Sequence, residues 1–112
     1  MEKIEQYRKF VQEILAEYTQ QVAGSEPIET QLIFDPVRDH YQVVDIGWED
    51  DFQRTYGVIV HVDIKDGKIW VQRDFTEPGI ATELVERGVP PSDIVLGFQA
   101  PFKRPFTEFA VA

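Results

Sequence analysis

The chain of 112 residues contains no cysteine, and this absence excludes several classes of protein. Disulfide frameworks, thiolate nucleophiles and zinc sites built on cysteine all need that side chain. No apolar run approaches the roughly 20 residues needed to cross a bilayer, so we expect a cytoplasmic protein without membrane contact. A glycine-rich phosphate loop is missing as well, and no base-nucleophile arrangement is recognisable.

Basic residues are scarce, with 11 Lys and Arg against 20 Asp and Glu, and the net charge is -9. A protein that binds DNA on its own usually has a basic face, because phosphate neutralisation supplies most of the non-specific affinity. This chain would be repelled by DNA on average. We therefore expect a protein partner rather than direct nucleic-acid binding.

Apolar residues are plentiful: hydrophobic types make up 43% of the chain, including eight Phe. We expect one domain over residues 1–112 that buries about two-thirds of the extended chain's surface. Apolar side chains at steps of three and four over residues 2–22 predict an amphipathic helix. These side chains are Ile4, Tyr7, Val11, Ile14, Leu15 and Tyr18. Gly24 and Pro27 predict the end of the helix.

Alternating apolar and polar residues predict four strands after the helix. They cover residues 28–34, residues 40–48 and the two halves of residues 54–75. In the second strand the alternation slips near Val43, which indicates either a bulge or a strand covered on both faces.

A short second helix is expected to begin near Pro78, with Thr76 or Glu77 as its cap, and to stop at Gly88. Residues 94–98 and 106–111 are candidates for edge strands. The predicted fold class is α+β. It consists of an antiparallel meander of four or more strands, packed on one face by the N-terminal helix and the short second helix.

The turn pair Asp66-Gly67 tolerates positive φ angles and predicts a two-residue hairpin loop. Lys65 then faces Lys68, and the pairing continues outward until Val58 faces Phe75. The face expected to join the core holds Val58, Val60, Val62, Ile64, Ile69, Val71 and Phe75. The other, mostly polar face holds Ile59, His61, Asp63, Lys65, Lys68, Trp70, Gln72 and Asp74.

One enzymatic interpretation rests on Asp63-Ile64-Lys65, which matches the D-x-K element of many metal-dependent nucleases. An upstream carboxylate such as Asp45 would complete the metal site. Because 28% of the residues are charged, the element also arises by chance. A metal-dependent nuclease that uses Asp63 and Lys65 is therefore the alternative, not the favoured function.

A second polar group comprises His61, Asp63 and Asp74, with His40 nearby. Two histidines and carboxylates can bind a divalent metal, but no spacing here is diagnostic. An ordinary polar sheet face is the favoured interpretation. We predict no metal site, no cofactor and no catalytic residue, so the protein is expected not to be an enzyme.

Two apolar features are candidates for contact with a partner. Trp70 and Ile59 leave apolar area on the polar face, which a partner or a second copy of the chain could cover. In the C-terminal segment, Lys103 and Arg104 are flanked by Phe102 and Phe106, and aromatics mixed with cations can bind a nucleic acid or an acidic protein. Two cations supply little affinity for phosphate, so a protein contact or simple packing at the sheet edge is favoured. These six residues are the predicted partner-binding residues, and a homo-oligomer through the face bearing Trp70 is a further hypothesis.

Many short segments resemble those of the XisI family, the fdxN element excision controlling factors, which are found chiefly in cyanobacteria. They are FDPVRDHYQ at 34–42, GW at 47–48, YG at 56–57, HVDIKDGKIW at 61–70, GIA at 79–81, LVE at 84–86, GVP at 88–90, IVLGF at 94–98 and PFKR at 101–104. The similarity extends from the N-terminal helix almost to the last residue.

The resemblance implies a regulatory role. XisI-type proteins are associated with excision of a DNA element by a site-specific recombinase, and they act alongside XisH, whose fold is similar to that of restriction endonucleases. The implied function is a non-enzymatic accessory factor in DNA recombination that contacts an XisH-like partner. Excision factors elsewhere are often small and basic, whereas this chain is acidic. A given family member could instead be the neutralising half of an antitoxin-like pair.

Overall fold

The structure, a computed structural model, describes residues 2–22 and 27–112. The helices are α1 (Lys3–Val22) and α2 (Ile80–Glu86), with short 3-10 helices at Pro91–Asp93 and Pro101–Phe106. The strands are β1 (Ile28–Asp35), β2 (His40–Trp48), β3 (Arg54–Lys65), β4 (Lys68–Asp74) and β5 (Ile94–Leu96). The predicted N-terminal helix is thereby confirmed, whereas its predicted cap at Gly24 lies outside the described residues.

The five strands form one sheet in the order β1-β2-β3-β4-β5, which confirms the predicted α+β fold. Strands β1 to β4 are an antiparallel meander, and β5 joins the edge parallel to β4, with α2 in the connection between them. The second predicted edge strand, residues 106–111, contributes only an isolated bridge between Val95 and Ala110. Within residues 2–22 and 27–112, no helix is both long enough and apolar enough to span a lipid bilayer.

Helices α1 and α2 lie on one face of the sheet, which we call the helix face, and together they enclose the core. The core holds Tyr7, Val11, Ile14, Leu15, Tyr41, Val43, Val60, Val62, Ile64, Ile69, Val71, Ile80, Ala81, Leu84, Val89 and Ile94. Alternation along the strands directs every second side chain to this face, and the helical period of α1 supplies the matching stripe. The opposite side of the sheet is called the open face below.

Partly buried polar contacts hold α1 against the rest of the fold. The Arg8 guanidinium donates to both carboxylate oxygens of Asp39, at 2.7 and 3.0 Å. The hydroxyl of the fully buried Tyr41 donates to the same Asp39 at 2.8 Å. Tyr7 donates to Asp93 at 2.5 Å. The contacts of Arg8 and Tyr7 join α1 to residues far away in the sequence, so they set the position of the helix on the sheet, and Tyr41 holds the Asp39 carboxylate that Arg8 binds.

The β3-β4 hairpin has the predicted turn, and Asp66 and Gly67 both have positive φ angles. Its predicted register is correct from Lys65 opposite Lys68 to Val62 opposite Val71. Beyond that pair β4 contains one extra residue, Gln72, so the rest of the predicted register is wrong. His61 pairs with Arg73, and Val60 pairs with Asp74.

The extra residue Gln72 reverses the faces of the residues that follow it, because side-chain orientation in a strand has a period of two. Phe75 was expected in the core and is instead 68% exposed. Asp74 was expected on the open face and instead lies at the start of α2. There its carboxylate accepts hydrogen bonds from the Ile80 N–H at 2.7 Å and from the Thr76 N–H at 2.9 Å. The predicted caps, Thr76 and Glu77, are therefore wrong: Gly79 is the N-cap residue, and the Asp74 carboxylate accepts the first N–H of the helix.

A second bulge lies between β2 and β3, where the sequence predicted an irregularity near Val43. Val43 pairs with Val60 and Val44 pairs with Val58, so Ile59 is the extra residue. Val58 consequently shares the open face with Val44 instead of joining the core. Ile59, expected on the open face, is partly buried and packs against the core cluster.

Candidate functional site

Three side chains on the open face meet around one carboxylate, and we call them the His-Asp cluster: His40, His61 and Asp63. His40 Nδ1 lies 2.7 Å from Asp63 Oδ1, and His61 Nε2 lies 2.8 Å from the same oxygen. The register explains the meeting, because His40 pairs directly with Asp63 across β2 and β3, and His61 is two residues before Asp63 on the same strand. All three therefore project from the same face at adjacent positions.

Two glutamines support the His-Asp cluster from either side. Gln72 Nε2 donates to Asp63 Oδ2 at 3.2 Å, and Gln42 Nε2 lies 3.3 Å from His61 Nδ1. Gln72 is the bulge residue of β4; it stays on the predicted face, and its amide lies beside Asp63. The cluster opens into a groove of about 410 Å³ that Ile33 and Asp35 also line.

The electrostatics of the cluster keep Asp63 ionised. Burial of its carboxylate, which is 15% exposed, raises the pKa, but hydrogen bonds from His40, His61 and Gln72 and the charge of His61 outweigh burial. The pKa of Asp63 is therefore below its ordinary value. An anionic oxygen held between two imidazole nitrogens can accept protons or coordinate a cation.

The residues of the nuclease interpretation are not brought together. Asp45 lies on the helix face, where it accepts a hydrogen bond from Thr30 at 2.8 Å and lines a cavity with Tyr18 of α1. The sheet thus separates it from Asp63. The Lys65 ammonium group is directed to Trp70, 4.1 Å from the centre of the ring. Asp45 and Asp63 therefore do not form a shared metal site.

Trp70 lies on the open face under the C-terminal segment. The Arg104 guanidinium is 5.5 Å from the ring centre, so both Lys65 and Arg104 contact the indole. The ring is partly buried, and its Nε1 has no hydrogen-bond partner among the residues that the structure describes. Any contact of a partner with this region would reach the C-terminal segment as well as Trp70.

Arg104, predicted as a partner-binding residue, has contacts that organise the C-terminal segment itself. Its guanidinium donates to the carbonyl oxygens of Gln99 at 3.1 Å, Val111 at 3.3 Å and Gly97 at 3.4 Å. Acceptors from both ends of the segment thereby converge on one side chain. Sequence reasoning could not find them, because they are main-chain oxygens gathered by the path of the chain.

The remaining predicted residues of the segment are exposed. Phe102 is 72% and Phe106 88% exposed, and Lys103 lies over the Phe102 ring at 5.9 Å. We call Phe102, Lys103 and Phe106 the tail patch. Phe75 is not among the predicted contact residues, yet the β4 bulge turns it outward, and it lines a groove with the exposed Phe98. The only sequence signal for Phe75 would have been a break in alternation at Gln72-Arg73.

Comparison with known proteins identifies the family. The model of the family described as XisI protein matches residues 1–111. The chain belongs to the XisI family. Its membership agrees with the segments that resembled this family in the sequence, and no curated protein matches the chain.

Two crystal structures of XisI proteins from Anabaena variabilis share the fold. One, described as a XisI-like protein, is 43% identical to this chain with a TM-score of 0.90. The other, described as fdxN element excision controlling factor XisI, is 38% identical with a TM-score of 0.88. Each comparison covers 99% of this chain and 100% of the other. The α+β arrangement is therefore that of the XisI family.

Proposed function

We propose that this chain is a controlling factor for the excision of a DNA element and that it acts without catalysis, through contact with a partner protein. The observation that carries the proposal is the similarity, over 99% of the chain, to a protein described as an excision controlling factor. A controlling factor needs a surface that another component recognises, and the tail patch is the candidate for that surface.

A protein partner suits this surface better than DNA does. The net charge of -9 opposes approach to a phosphate backbone. Arg104 is directed to main-chain oxygens, so Lys103 is the cation that the tail patch presents. Affinity for DNA grows with the number of phosphates that Lys and Arg neutralise, and one cation supplies little.

The tail patch has the composition of a protein-binding hot spot. Aromatic side chains are enriched at the centres of protein interfaces, and Phe102 and Phe106 are both exposed. The patch also rests on a fixed base, since Arg104 contacts both Trp70 and the main chain beneath it. The partner we propose is an XisH-like protein, which would supply any nuclease-like chemistry while this chain controls it.

Calorimetric titration of the purified chain with an XisH-like protein tests the proposal. We expect a defined complex whose affinity falls about thirtyfold in the double variant Phe102→Ala, Phe106→Ala, because two hot-spot residues are removed. Phe52→Ala is the matched control, since Phe52 is 93% exposed but lies in the β2-β3 loop. Absence of a complex, or an equal loss in the control, would contradict the proposal.

Self-association is the competing use of the same face. Because the C-terminal segment contacts Trp70, a homo-oligomer through this face would also bury part of that segment. Light scattering of the native chain and of the double variant distinguishes the two uses. A native oligomer that dissociates in the variant would indicate self-association, whereas a native monomer leaves the patch free for a partner.

A further inference from the structure

The His-Asp cluster has the donor atoms of a metal centre. We propose that His40, His61 and Asp63 bind a divalent transition-metal ion, and that zinc fits best. Strands β2 and β3 would then carry a metal site that is separate from the tail patch.

The distances between the ligand atoms of the His-Asp cluster indicate that the side chains would move little to bind an ion. One ligand atom from each side chain lies within 4.8 Å of the other two. Zinc binds imidazole nitrogen and carboxylate oxygen at about 2.0–2.2 Å, which puts neighbouring tetrahedral ligands about 3.3 Å apart. The two nitrogen-oxygen distances are 2.7 and 2.8 Å, so each would lengthen by about 0.5 Å as an ion replaces the hydrogen bonds.

The chemistry of the donor set selects the class of ion. Two imidazole nitrogens and one carboxylate suit zinc and its neighbours in the first transition series. Calcium and magnesium prefer sites made entirely of oxygen, so this set discriminates against them. Zinc is favoured because it accepts four ligands in tetrahedral arrangement without a strong electronic preference.

The surroundings resemble the outer shell of a metal site. Ligating side chains are usually oriented by hydrogen bonds from neighbouring residues. Gln72 holds the second oxygen of Asp63, and Gln42 lies beside the second nitrogen of His61. When His61 Nε2 binds the ion, His61 Nδ1 would carry the proton of the ring. A half-turn of the Gln42 amide would then direct its oxygen to accept a hydrogen bond from Nδ1. Strands β2, β3 and β4 thus all contribute to the framework.

The site would keep a position open to solvent. Asp35 lines the same groove, but its Oδ1 already accepts hydrogen bonds from the Val37 and Arg38 N–H groups, at 3.1 and 3.0 Å. Three protein ligands therefore leave a fourth position for water or for a ligand in the groove. Structural zinc sites are usually closed by four protein ligands, so this one would be exchangeable.

Titration calorimetry with zinc chloride, on protein without a polyhistidine tag, tests the proposal. We expect one ion per chain and a stabilised fold. At a zinc concentration 100 times the dissociation constant, the melting temperature should rise by roughly 10 °C. Magnesium chloride at the same concentration should give no comparable shift. Visible absorption of the cobalt-loaded protein would report a low-symmetry site with nitrogen and oxygen ligands.

Variants locate the ion. Asp63→Asn and His40→Gln should each abolish stoichiometric binding, and Gln72→Ala should weaken it roughly tenfold. Asp66→Asn is the matched control, because it makes the same chemical change at an exposed turn position that asparagine tolerates. His40 is more than half exposed, so circular dichroism of His40→Gln should remain native even if Asp63→Asn misfolds. The proposal is overturned if the native chain shows no zinc-dependent stabilisation, or if His40→Gln binds zinc as tightly as the native chain.

Discussion

Arg104→Ala is the substitution that best tests how the C-terminal segment is held on the open face. The change removes the cation-π contact of the guanidinium with Trp70 and three hydrogen bonds to main-chain oxygens. It leaves the other attachments of the segment in place, including the Ala110 N–H that donates to the Ile94 carbonyl at 2.8 Å. We therefore expect the segment to loosen while the core stays folded.

The geometry sets the size of the effect. Only the bond to Gln99, at 3.1 Å, has a favourable length, and the bonds to Val111 and Gly97 are longer and weaker. A hydrogen bond contributes about 1 kcal/mol, and a partly exposed cation-π contact about 0.5–1 kcal/mol. We expect a total loss of about 2 kcal/mol, which in a chain of this length lowers the melting temperature by about 8 °C.

Tryptophan fluorescence can follow the segment directly. Because Trp48 is also present and exposed, the assay uses a Trp48→Phe background in which Trp70 is the sole tryptophan and is excited selectively over the four tyrosines. Loss of Arg104 should expose the indole and shift its emission to longer wavelength. Lys103→Ala is the matched control: Lys103 neighbours Arg104 but lies over the Phe102 ring, so it should change neither emission nor stability appreciably.

The result that would refute this account is specific. If Arg104→Ala keeps the native melting temperature and the native Trp70 emission, the guanidinium does not hold the segment. In that case the tail patch would lack the fixed base that the proposed partner contact assumes.

Three further substitutions test other parts of the structure. Tyr41→Phe removes the hydrogen bond to Asp39 and should lower the free energy of unfolding by about 2 kcal/mol in urea denaturation; an unchanged midpoint would show that this bond does not stabilise the buried Asp39 carboxylate. Burial raises the pKa of Asp39, but the hydrogen bonds from Arg8 and Tyr41 together outweigh it, so the pKa lies below its ordinary value. The ionised Asp39 carboxylate therefore contributes its full stabilisation above the pKa that Asp39 has in the unfolded chain. This stabilisation is lost as the pH falls through the lower pKa that Asp39 has in the folded chain. Asp39→Asn should accordingly lose less stability than the native chain between neutral and strongly acidic pH, as measured by acid denaturation; equal losses would contradict this. Gly97→Ala places a methyl group against the Gln72 amide and 3.2 Å from the Val71 carbonyl oxygen, so it should destabilise the fold, and an equal or higher melting temperature would show that this contact is relaxed.

The sequence predicted the elements well where local signals decide the structure. The Asp66-Gly67 turn fixes the first four pairs of its hairpin, and the apolar period of residues 2–22 defines α1. The irregularity near Val43 was also visible, because the apolar residues change face there. Such signals depend only on residues that are close in the sequence, so they can be recognised before the fold is known.

The positions of the two bulges could not be predicted from the local sequence. A bulge adds one residue to one strand, and alternation in that strand alone does not show which position is left unpaired. Placing Ile59 and Gln72 correctly requires the partner strands. As a result Val58, Phe75 and Asp74 were assigned to the wrong faces.

The candidate site could be predicted only in part, because it too depends on the pairing between strands. Asp63 and His61 were recognised as near neighbours, but the direct pairing of His40 with Asp63 depends on the register between β2 and β3. The role of Arg104 was not predictable at all, since its acceptors are main-chain oxygens.

Gln72 has a consequence that reaches beyond its own strand. Its amide nitrogen holds Asp63 in the His-Asp cluster, and its amide oxygen would meet any side chain on Gly97, whose carbonyl oxygen Arg104 contacts. One side chain therefore contacts both the His-Asp cluster and the start of the C-terminal segment. A ligand at the His-Asp cluster or at the C-terminal segment that favours one position of this amide also changes the affinity for a ligand at the other. Thermodynamic reciprocity requires each ligand to change the affinity for the other by the same factor. Comparing zinc affinity with and without a bound partner would measure that coupling free energy.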